Sequence, residues 1–572
     1  MALIEFRDYS FTHLGQASKA LSSINLKIEQ GTTVGVLGIG GAGKSTFIKT
    51  MGGLAPEEVP GLETGEILLD GKNSRQLPPV EYSQMVGVVL DKPVTQLLGL
   101  TVLDDVSFGP SNLGLAEKEV RERVDFALSV TRLKGLESRN PEELSGGQQQ
   151  SLAIADILAM RPKVLALDEP VSMLDSEGKE RVLSIIRRLV EEQNSTVVIT
   201  ESGLDLESMI GYLDRLVVLH KGEVVLDGDP HEVVMSPTLD EIGVGRTQMA
   251  DLFLKLRKKA GISEVPFSVN DAEKALRPLV ASLRFPKAGS KTASAPAEPI
   301  VTVANLSHTY PPDVRALREV ALTIPKGEIV GLVGQNGSGK TTLCLHLVGV
   351  LKASNPDAKV QVEGLDVSKE RIQTLIRHIN YVFQNPDNQL FQEDIKSELS
   401  YGMKLVGADE AKIAPFLERS IKQFDLAGFL EYDLPALPRE VRTILALASV
   451  LALEPSVVIL DEPTNAMDRK KSAWFVQELK KMNRDGLTIL IVSHNMEFLA
   501  RVCTRLIVMN DGKIIADGET RSVFSKPDVL ASAKVAPPQL LQLAQRFSSA
   551  GFPQDVLTVD EFYSALFPGG GD

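Results

Sequence analysis

Cysteine is nearly absent from this chain. Its 572 residues contain only Cys344 and Cys503, too few for a disulfide framework and in keeping with a reducing compartment. Cys344 falls in the apolar, helix-like stretch TTLCLHLVG and reads as core filler. Long apolar runs are missing too: no uninterrupted stretch reaches the roughly 18 residues a membrane span needs. The N-terminal MALIEFRDYSF lacks a basic region followed by an apolar core, so no signal peptide is expected. Any membrane role is therefore expected to be peripheral, through a partner. An excess of basic charge is also lacking. The net charge is −14, which disfavours a dedicated nucleic-acid binder, since these usually carry a basic face. What is present is ordinary for a globular protein: 43% hydrophobic and 24% charged residues. The length allows about four units of roughly 150 residues, with cores that need no covalent staples.

The chain is written twice. GIGGAGKST (38–46) returns as GQNGSGKTT (334–342), VLALDEP (164–170) as VVILDEP (457–463), and RLVVLHKGEVVLDGDP (215–230) as RLIVMNDGKIIADGET (505–520). The offset stays at 293 to 296 residues between Lys44/Lys340 and Asp168/Asp461, which marks duplication of a whole domain. The tails repeat as well: 244–276 echoes 535–566, each reading as a helix, a glycine break, an extended piece and a short helix. PKAGSKTASAPAEP (286–299) has no apolar periodicity and reads as a flexible linker. The expected division is a first domain at 1–238 with a C-terminal extension at 239–285, the linker at 286–299, a second domain at 300–526 and its extension at 527–572. Within each half, buried strands alternate with helices, which implies a largely parallel sheet. TTVGVLG and EIVGLVG are strands feeding the glycine loops, and HKGE and NDGK read as hairpin turns of an antiparallel flank.

G-x-x-x-x-G-K-[ST] occurs at 38–45 and 334–341. Glycines let backbone N–H groups wrap phosphates, and the following helix offers its positive N-terminus. The candidate contacts are Gly38, Gly41, Gly43, Lys44, Ser45 and Thr46 in the first copy. In the second they are Gly334, Asn336, Gly337, Ser338, Gly339, Lys340, Thr341 and Thr342. Lys44 and Lys340 are expected to reach the β/γ-phosphates, and Ser45 and Thr341 to ligate Mg²⁺. Asp168 and Asp461 end apolar strands, each followed by a glutamate. A buried strand end is a costly place for two carboxylates unless a cation or phosphate chemistry occupies it. The aspartates are expected to hold Mg²⁺ through water, and Glu169 and Glu462 to orient and deprotonate an attacking water. Two glycine loops, each with its acidic motif, leave little room for a chance turn.

LSGGQ (144–148) completes the pattern. The combination resembles the ABC-type ATPases over nearly the whole chain, in two copies. The resemblance implies an α/β fold of two tandem P-loop ABC ATPase domains. Each would have a mostly parallel sheet core, an antiparallel flank, a helical subdomain and a small C-terminal extension. It also implies ATP and Mg²⁺ as ligands and a head-to-tail pairing in which each ATP lies between one domain's glycine loop and the other's LSGGQ. Ser145, Gly146, Gly147 and Gln148 would then serve the nucleotide held by the second half. A hydroxyl, bare glycine amides and a helix N-terminus make a suitable anion receptor.

The copies disagree at specific places. YVFQNPDNQLF (381–391) faces VVLDKPVTQLL (88–98), so Gln384, a further expected Mg²⁺ contact, corresponds to Asp91. VSHNME faces ITESGL, so His494, which in the resembled family touches the γ-phosphate, corresponds to Glu201. A second carboxylate there is unfavourable unless it turns away or is protonated. Tyr310, expected to stack on adenine, corresponds to His13. LSGGQ faces LPREV, where Pro438, Arg439, Glu440 and Val441 replace Ser145, Gly146, Gly147 and Gln148. Proline brings no N–H, and Arg and Glu block the close backbone approach that glycine permits. A proline still suits a helix start, so the helix is expected to survive without its anion site. With head-to-tail assignment every loss falls on one site. The other, built on Lys340, Gln384, Glu462 and His494 with Ser145–Gln148, stays whole. One fast site and one slow or ATP-holding site are expected.

QNPDNQLF and FGPSNLGL (108–115) resemble the ATPase (A) components of energy-coupling factor importers of vitamins and transition-metal ions. That resemblance implies a transmembrane coupling subunit and a separate substrate-binding membrane subunit as partners, no nucleic acid, and residence at the cytoplasmic face of the membrane. The charged EKEVRERVDFAL (117–128) reads as a solvated helix face by default. A tandem ATPase of a sugar importer and a soluble ABC protein acting in translation remain alternatives. The second lacks a long charged linker or cysteine cluster here.

Overall fold

The computed structural model describes every residue except Met1, Ala17, Met173, Leu204, Ser263, Glu264, Arg284, 286–297, Pro312, Ala466 and 569–572. Most of the expected linker thus lies outside the described residues. The chain divides into two compact units, the first Met1–Ala272 with Met467–Lys470 and the second Glu273–Ala466 with Lys471–Asp572.

In the first unit the strands are β1 (Ala2–His13), β2 (Leu21–Glu29), β3 (Thr33–Leu37), β4 (Gly61–Leu69) and β5 (Lys72–Asn73). They are followed by β6 (Val86–Val89), β7 (Val164–Leu167), β8 (Thr196–Glu201), β9 (Arg215–His220) and β10 (Glu223–Gly228). They form a four-stranded sheet in the order β2-β1-β4-β5 and a six-stranded sheet in the order β10-β9-β3-β8-β7-β6. The larger sheet is parallel from β9 to β6, with Val34 opposite Val198 and Arg215, and only the hairpin strand β10 runs antiparallel. Strands β3 and β7 are buried along their whole length, as continuous apolar runs in parallel sheets should be. The four-stranded antiparallel sheet is a separate layer that the hairpin motifs did not announce.

The second unit repeats this plan. Its strands are β11 (Pro299–Tyr310), β12 (Val314–Pro325), β13 (Ile329–Val333), β14 (Lys359–Val362) and β15 (Leu365–Asp366). Then come β16 (Ile379–Val382), β17 (Val457–Asp461), β18 (Thr488–Val492), β19 (Arg505–Asn510) and β20 (Lys513–Glu519). The sheet orders are β12-β11-β14-β15 and β16-β17-β18-β13-β19-β20.

Fourteen helices matter here. The first unit has α1 (Lys44–Met51), α2 (Val102–Asn112), α3 (Glu117–Val130), α4 (Gly146–Met160), α5 (Ser176–Gln193) and α6 (Gln248–Ala260), and the unit boundary falls within α7 (Val269–Ala281). The second unit has α8 (Lys340–Leu347), α9 (Ile395–Leu405), α10 (Glu410–Gln423), α11 (Arg439–Leu451), all but the first two residues of α12 (Arg469–Arg484), α13 (Gln539–Arg546) and α14 (Val559–Leu566). In each unit one core joins both sheets through the helix after the glycine loop. Phe47 of α1 stacks on Phe6 of β1 at 4.8 Å, and both sit in a cluster with Val34, Val36 and Val198. Truncating Phe47 to alanine should cost about 3–5 kcal/mol. Leu343, Leu347 and Cys344 take that place in the second unit, so Cys344 is core filler as its surroundings implied.

Helix α3 buries Val124, Ala127 and Leu128 and spends its charges on i,i+4 pairs such as Arg123–Glu119 at 2.7 Å, the solvated face its sequence implied. Helix α11 forms with Pro438 as its N-cap and no side-chain capping bond. The tails are helix, left-handed glycine, helix in both copies: Gly261 follows α6 at φ 68° and Gly551 precedes α14 at φ 81°. In the first copy the second helix is not short: α7 has 13 residues against 8 in α14.

Candidate functional site

In the second unit the glycine loop joins β13, which lies between the parallel strands β18 and β19, to α8. Backbone geometry explains its glycines. Gly339, the N-cap of α8, has φ 99°, and a Cβ there would lie 2.4 Å from the Ala316 carbonyl oxygen. At Gly334 a Cβ would meet the Met509 carbonyl oxygen at 2.2 Å. Lys340 is buried and its Nζ donates to the carbonyls of Gly334 (2.7 Å) and Gln335 (2.8 Å), so the chain folds round the ammonium. Ser338 Oγ is buried with no hydrogen-bond partner among the described residues.

The neighbouring strand ends bring the acidic residues to this loop. Asp461, at the end of β17, accepts from the Tyr381 hydroxyl and lies within hydrogen-bonding reach of Thr341. Burial holds its carboxyl above the usual range. Glu462, in left-handed conformation at φ 47°, is fixed by two donors: Ser493 Oγ to Oε2 at 2.9 Å and the His494 backbone N–H to Oε1 at 2.8 Å. Burial, then the Asp461 charge, push it up to about 7. The His494 ring has its Nε2 3.7 Å from Glu462 Oε1 and 3.0 Å from Asn336 Oδ1. Tyr310 ends β11 with its hydroxyl 3.4 Å from Thr342 Oγ1. Gln384 stands exposed just beyond β16, and among the described residues no hydrogen bond joins it to Lys340, Asp461 or Glu462.

The first unit has the same scaffold with different partners. Lys44 Nζ donates to the Gly38 carbonyl at 2.9 Å and also ion-pairs with Glu169 Oε1 at 3.3 Å. Asp168 Oδ1 accepts from Thr200 Oγ1 at 2.6 Å, while its buried Oδ2 has no partner among the described residues. Ser45 reaches the same carboxylate, which burial holds above its usual range. Glu201 is buried and turned back on its own loop: Oε1 accepts from the N–H groups of Gly203 (3.1 Å) and Asp205 (3.0 Å). Burial, then Asp205 and Glu169, push it up to about 8. Asp91 is exposed, and its charge adds to the upward push on Asp168 and Glu169. His13 takes Tyr310's place, with Nε2 3.1 Å from Thr46 Oγ1.

The residues of LSGGQ and LPREV start equivalent helices. Ser145 caps α4 in a reciprocal box with Gln148, whose N–H donates to Ser145 Oγ at 3.3 Å while Ser145 N–H donates to Gln148 Oε1 at 3.0 Å. A Cβ on Gly147 would lie 2.9 Å from Gly178 Cα. Glu440 and Lys471 stand at those two positions in the second copy. Among the residues that shape these sites, Tyr381, Thr200 and Ser493 escaped the motif reading. Setting Tyr381 against Val88 in the paired copies was the signal that could have exposed the first.

The model of the ABC transporter family matches 21–172 and 317–465, more than half of the chain. The chain belongs to the ABC transporter family. A provisionally named ABC transporter ATP-binding protein of Methanosarcina mazei is 34% identical over 99% of this chain and 97% of its own. A similarly named protein of Caldanaerobacter subterraneus is 31% identical over 98% of each. Among solved structures, cbiO1 of Clostridium perfringens, part of the ABC transporter complex cbiONQ, is 28% identical. That match covers 43% of this chain and 99% of the other, with a TM-score of 0.38. This ABC protein is an ATPase of a transporter, and its two domains are ATP-binding domains. Among the described residues no helix is long and apolar enough to cross a membrane.

Proposed function

We propose that this ABC ATPase energises an importer of the energy-coupling factor type, taking up vitamins or transition-metal ions, and that its two ATP sites are unequal. The observation that carries the inequality is the hold on the two glutamates. Glu462 is oriented by Ser493 and by the His494 N–H beside the His494 ring, as a base aligning a water requires. Glu169 is instead engaged by Lys44, and the histidine's place is taken by the buried carboxyl of Glu201. On this reading Lys340 and the amides of Gly334–Thr342 bind the phosphates, Tyr310 faces the base, and Thr341, Asp461 and Gln384 hold Mg²⁺. The metal supplies charge neutralisation at the phosphates. The orphaned Oδ2 of Asp168 beside Ser45 fits such an ion in the first copy.

Head-to-tail pairing of the two halves would bring Ser145–Gln148 to the second unit's nucleotide and leave Pro438, Arg439 and Glu440 facing the first's. The segregation of losses in the sequence supports this pairing. The docking of a membrane subunit is supported by exposed apolar side chains after β6, Leu98 at 71% and Leu100 at 80% exposure, in the same unit as a groove of about 940 Å³ lined by Tyr82, Gln96 and Ile157. Steady-state phosphate release tests the site assignment. Glu462→Gln should lower it at least about 100-fold and Glu169→Gln by less than about threefold; the reverse ranking would sink the assignment. Purification from detergent-solubilised membranes tests the importer reading: two small membrane subunits should accompany the chain, and recovery with ribosomes would overturn it.

A further inference from the structure

The base-facing residues of the two units rest on different supports. His13 and Tyr310 end equivalent strands, and the residue two positions earlier points to the same strand face. In the first unit that residue is Phe11, its ring centroid 5.1 Å from His13 and the planes at 85°. In the second it is His308, 4.5 Å from Tyr310 with the planes at 75°. The imidazole and the aryl ring have changed places. The second unit then adds a third ring. His346, on α8, packs edge-on to His308 at 4.8 Å and 70°. His308 is anchored to the chain that follows α8: its Nδ1–H donates to Lys352 O at 3.2 Å. His346 is buried, and its Nε2 has no partner among the described residues. Thr50 stands at the position of His346 in the first unit and bonds back to Phe47 O of its own helix at 3.0 Å, so the stack ends there.

We propose that His308 is a positioning residue of the second nucleotide site: braced on His346, it fixes the plane on which Tyr310 receives the nucleobase. The inference rests on the reading that Tyr310 faces the base. The Tyr310–His308–His346 stack connects the base platform to α8, the helix whose first residue is Lys340. Base and phosphates are thereby referred to one rigid element. His308 touches no reacting atom, so its effect falls on nucleotide binding and leaves the chemical step alone, a signature of uniform binding.

The test is hydrolysis by the full chain as a function of ATP concentration, in variants with unchanged thermal melting. His308→Leu keeps the volume of this buried site and removes the ring. It should raise KM about two- to tenfold, the range an edge-to-face aromatic contact spans, and leave kcat within about twofold. His308→Phe, which installs the first unit's ring, should hold KM within about twofold of the parent. Tyr310→Leu should raise KM at least as much as His308→Leu. If Tyr310→Leu raises KM and His308→Leu does not, the positioning role is overturned and the nucleotide reading stands. If Tyr310→Leu leaves KM unchanged, the base assignment falls and takes this inference with it. A loss of kcat in His308→Leu at constant KM, or a KM in His308→Phe as high as in the leucine variant, also overturns it. Should His308→Leu melt early, the phenylalanine variant and Tyr310→Leu decide between these outcomes alone.

Discussion

The two units carry the same glutamate after the same apolar strand, yet Glu462 and Glu169 are held differently, and a single phenol accounts for it. In the second unit Tyr381 donates to Asp461. The next hydroxyl, Ser493, is then available to Glu462. In the first unit Val88 stands where Tyr381 does and offers no donor. Thr200, the counterpart of Ser493, is drawn to Asp168 instead, and the Glu169 side chain pairs with Lys44. A buried carboxylate must find a donor, so the choice made at the aspartate decides what remains for the glutamate. Two sites of one ancestry diverge through competition for hydroxyl groups as well as through loss of named motif residues.

The largest expected break of this comparison comes from exchanging the residues that follow those hydroxyls. His494→Glu puts the first unit's carboxyl beside Glu462 and should lower phosphate release about 100-fold or more, the span that a lost acid–base or positioning group covers. Glu201→His should change the rate by less than about twofold while the second unit supplies the turnover. Equal effects of the two changes would mean that the sites share the work.

Tyr381→Phe tests the hydroxyl competition itself. With the phenol gone, Asp461 draws Ser493 away and Glu462 loses a donor that favours its charged form. Its titration then moves upward from about 7. A base works ionised, so activity rises with pH through that titration in the parent and reaches a plateau above it. In the variant the acid limb should move to higher pH, with a loss of about three- to tenfold at pH 7.5 that recovers by pH 9. A pH–rate profile with an unmoved acid limb would show that the phenol plays no part.

Much of this is legible in the sequence. The repeats announced two domains, and the glycine loops and LDEP strands fixed which residues converge, because parallel strands deliver their C-terminal ends to one edge. The four-stranded antiparallel layer was not legible. Strand β1 carries register shifts at Phe6/Tyr9 and Tyr9/Phe11 against β2 and a left-handed Asp8 at φ 45°, so its side chains never alternate cleanly enough to read as a period of two. The hydroxyl partners were hidden for another reason. Tyr381 in a buried strand reads as core, and nothing local tells whether Thr200 or Ser493 turns to the aspartate or the glutamate. Glu201 was legible as a conflict, a carboxylate that must turn away or take a proton. The structure resolves it both ways, through the amides of its own loop and an upward push to about 8.

A smaller effect is expected where the comparison looks most dramatic in the sequence. Pro438→Ser, Arg439→Gly, Glu440→Gly and Val441→Gln together would recreate the capping box seen at Ser145 and Gln148. The first unit would still carry Asp91, Glu201 and a Glu169 tied to Lys44. Phosphate release should therefore gain less than about twofold. A large gain from these four changes alone would place the whole deficit in LPREV and discard the account based on the glutamates.

Glu201 offers the gentlest test, because it is read in stability rather than turnover. A carboxyl that titrates at about 8 in the fold and near 4.5 when unfolded is bound by the native state in its protonated form. Between those values the native state holds more protons than the unfolded chain, so this group's contribution falls as pH rises from about 4.5 to 8. Lys179, paired with Asp205, offsets part of the penalty by pulling the carboxyl the other way. Glu201→Gln retains an acceptor for the N–H groups of Gly203 and Asp205 and cannot ionise. It should leave Tm nearly unchanged at pH 5 and raise the transition of the first unit by about 3 °C or more at pH 8.5, where one kcal/mol moves a domain of this size by roughly 2–4 °C. The difference between the two pH values is the measurement that matters. A gain equal at both would assign the effect to packing, and a loss at pH 8.5 would show that the carboxyl is ionised and held by its loop, leaving the first site with the negative charge that its geometry otherwise removes.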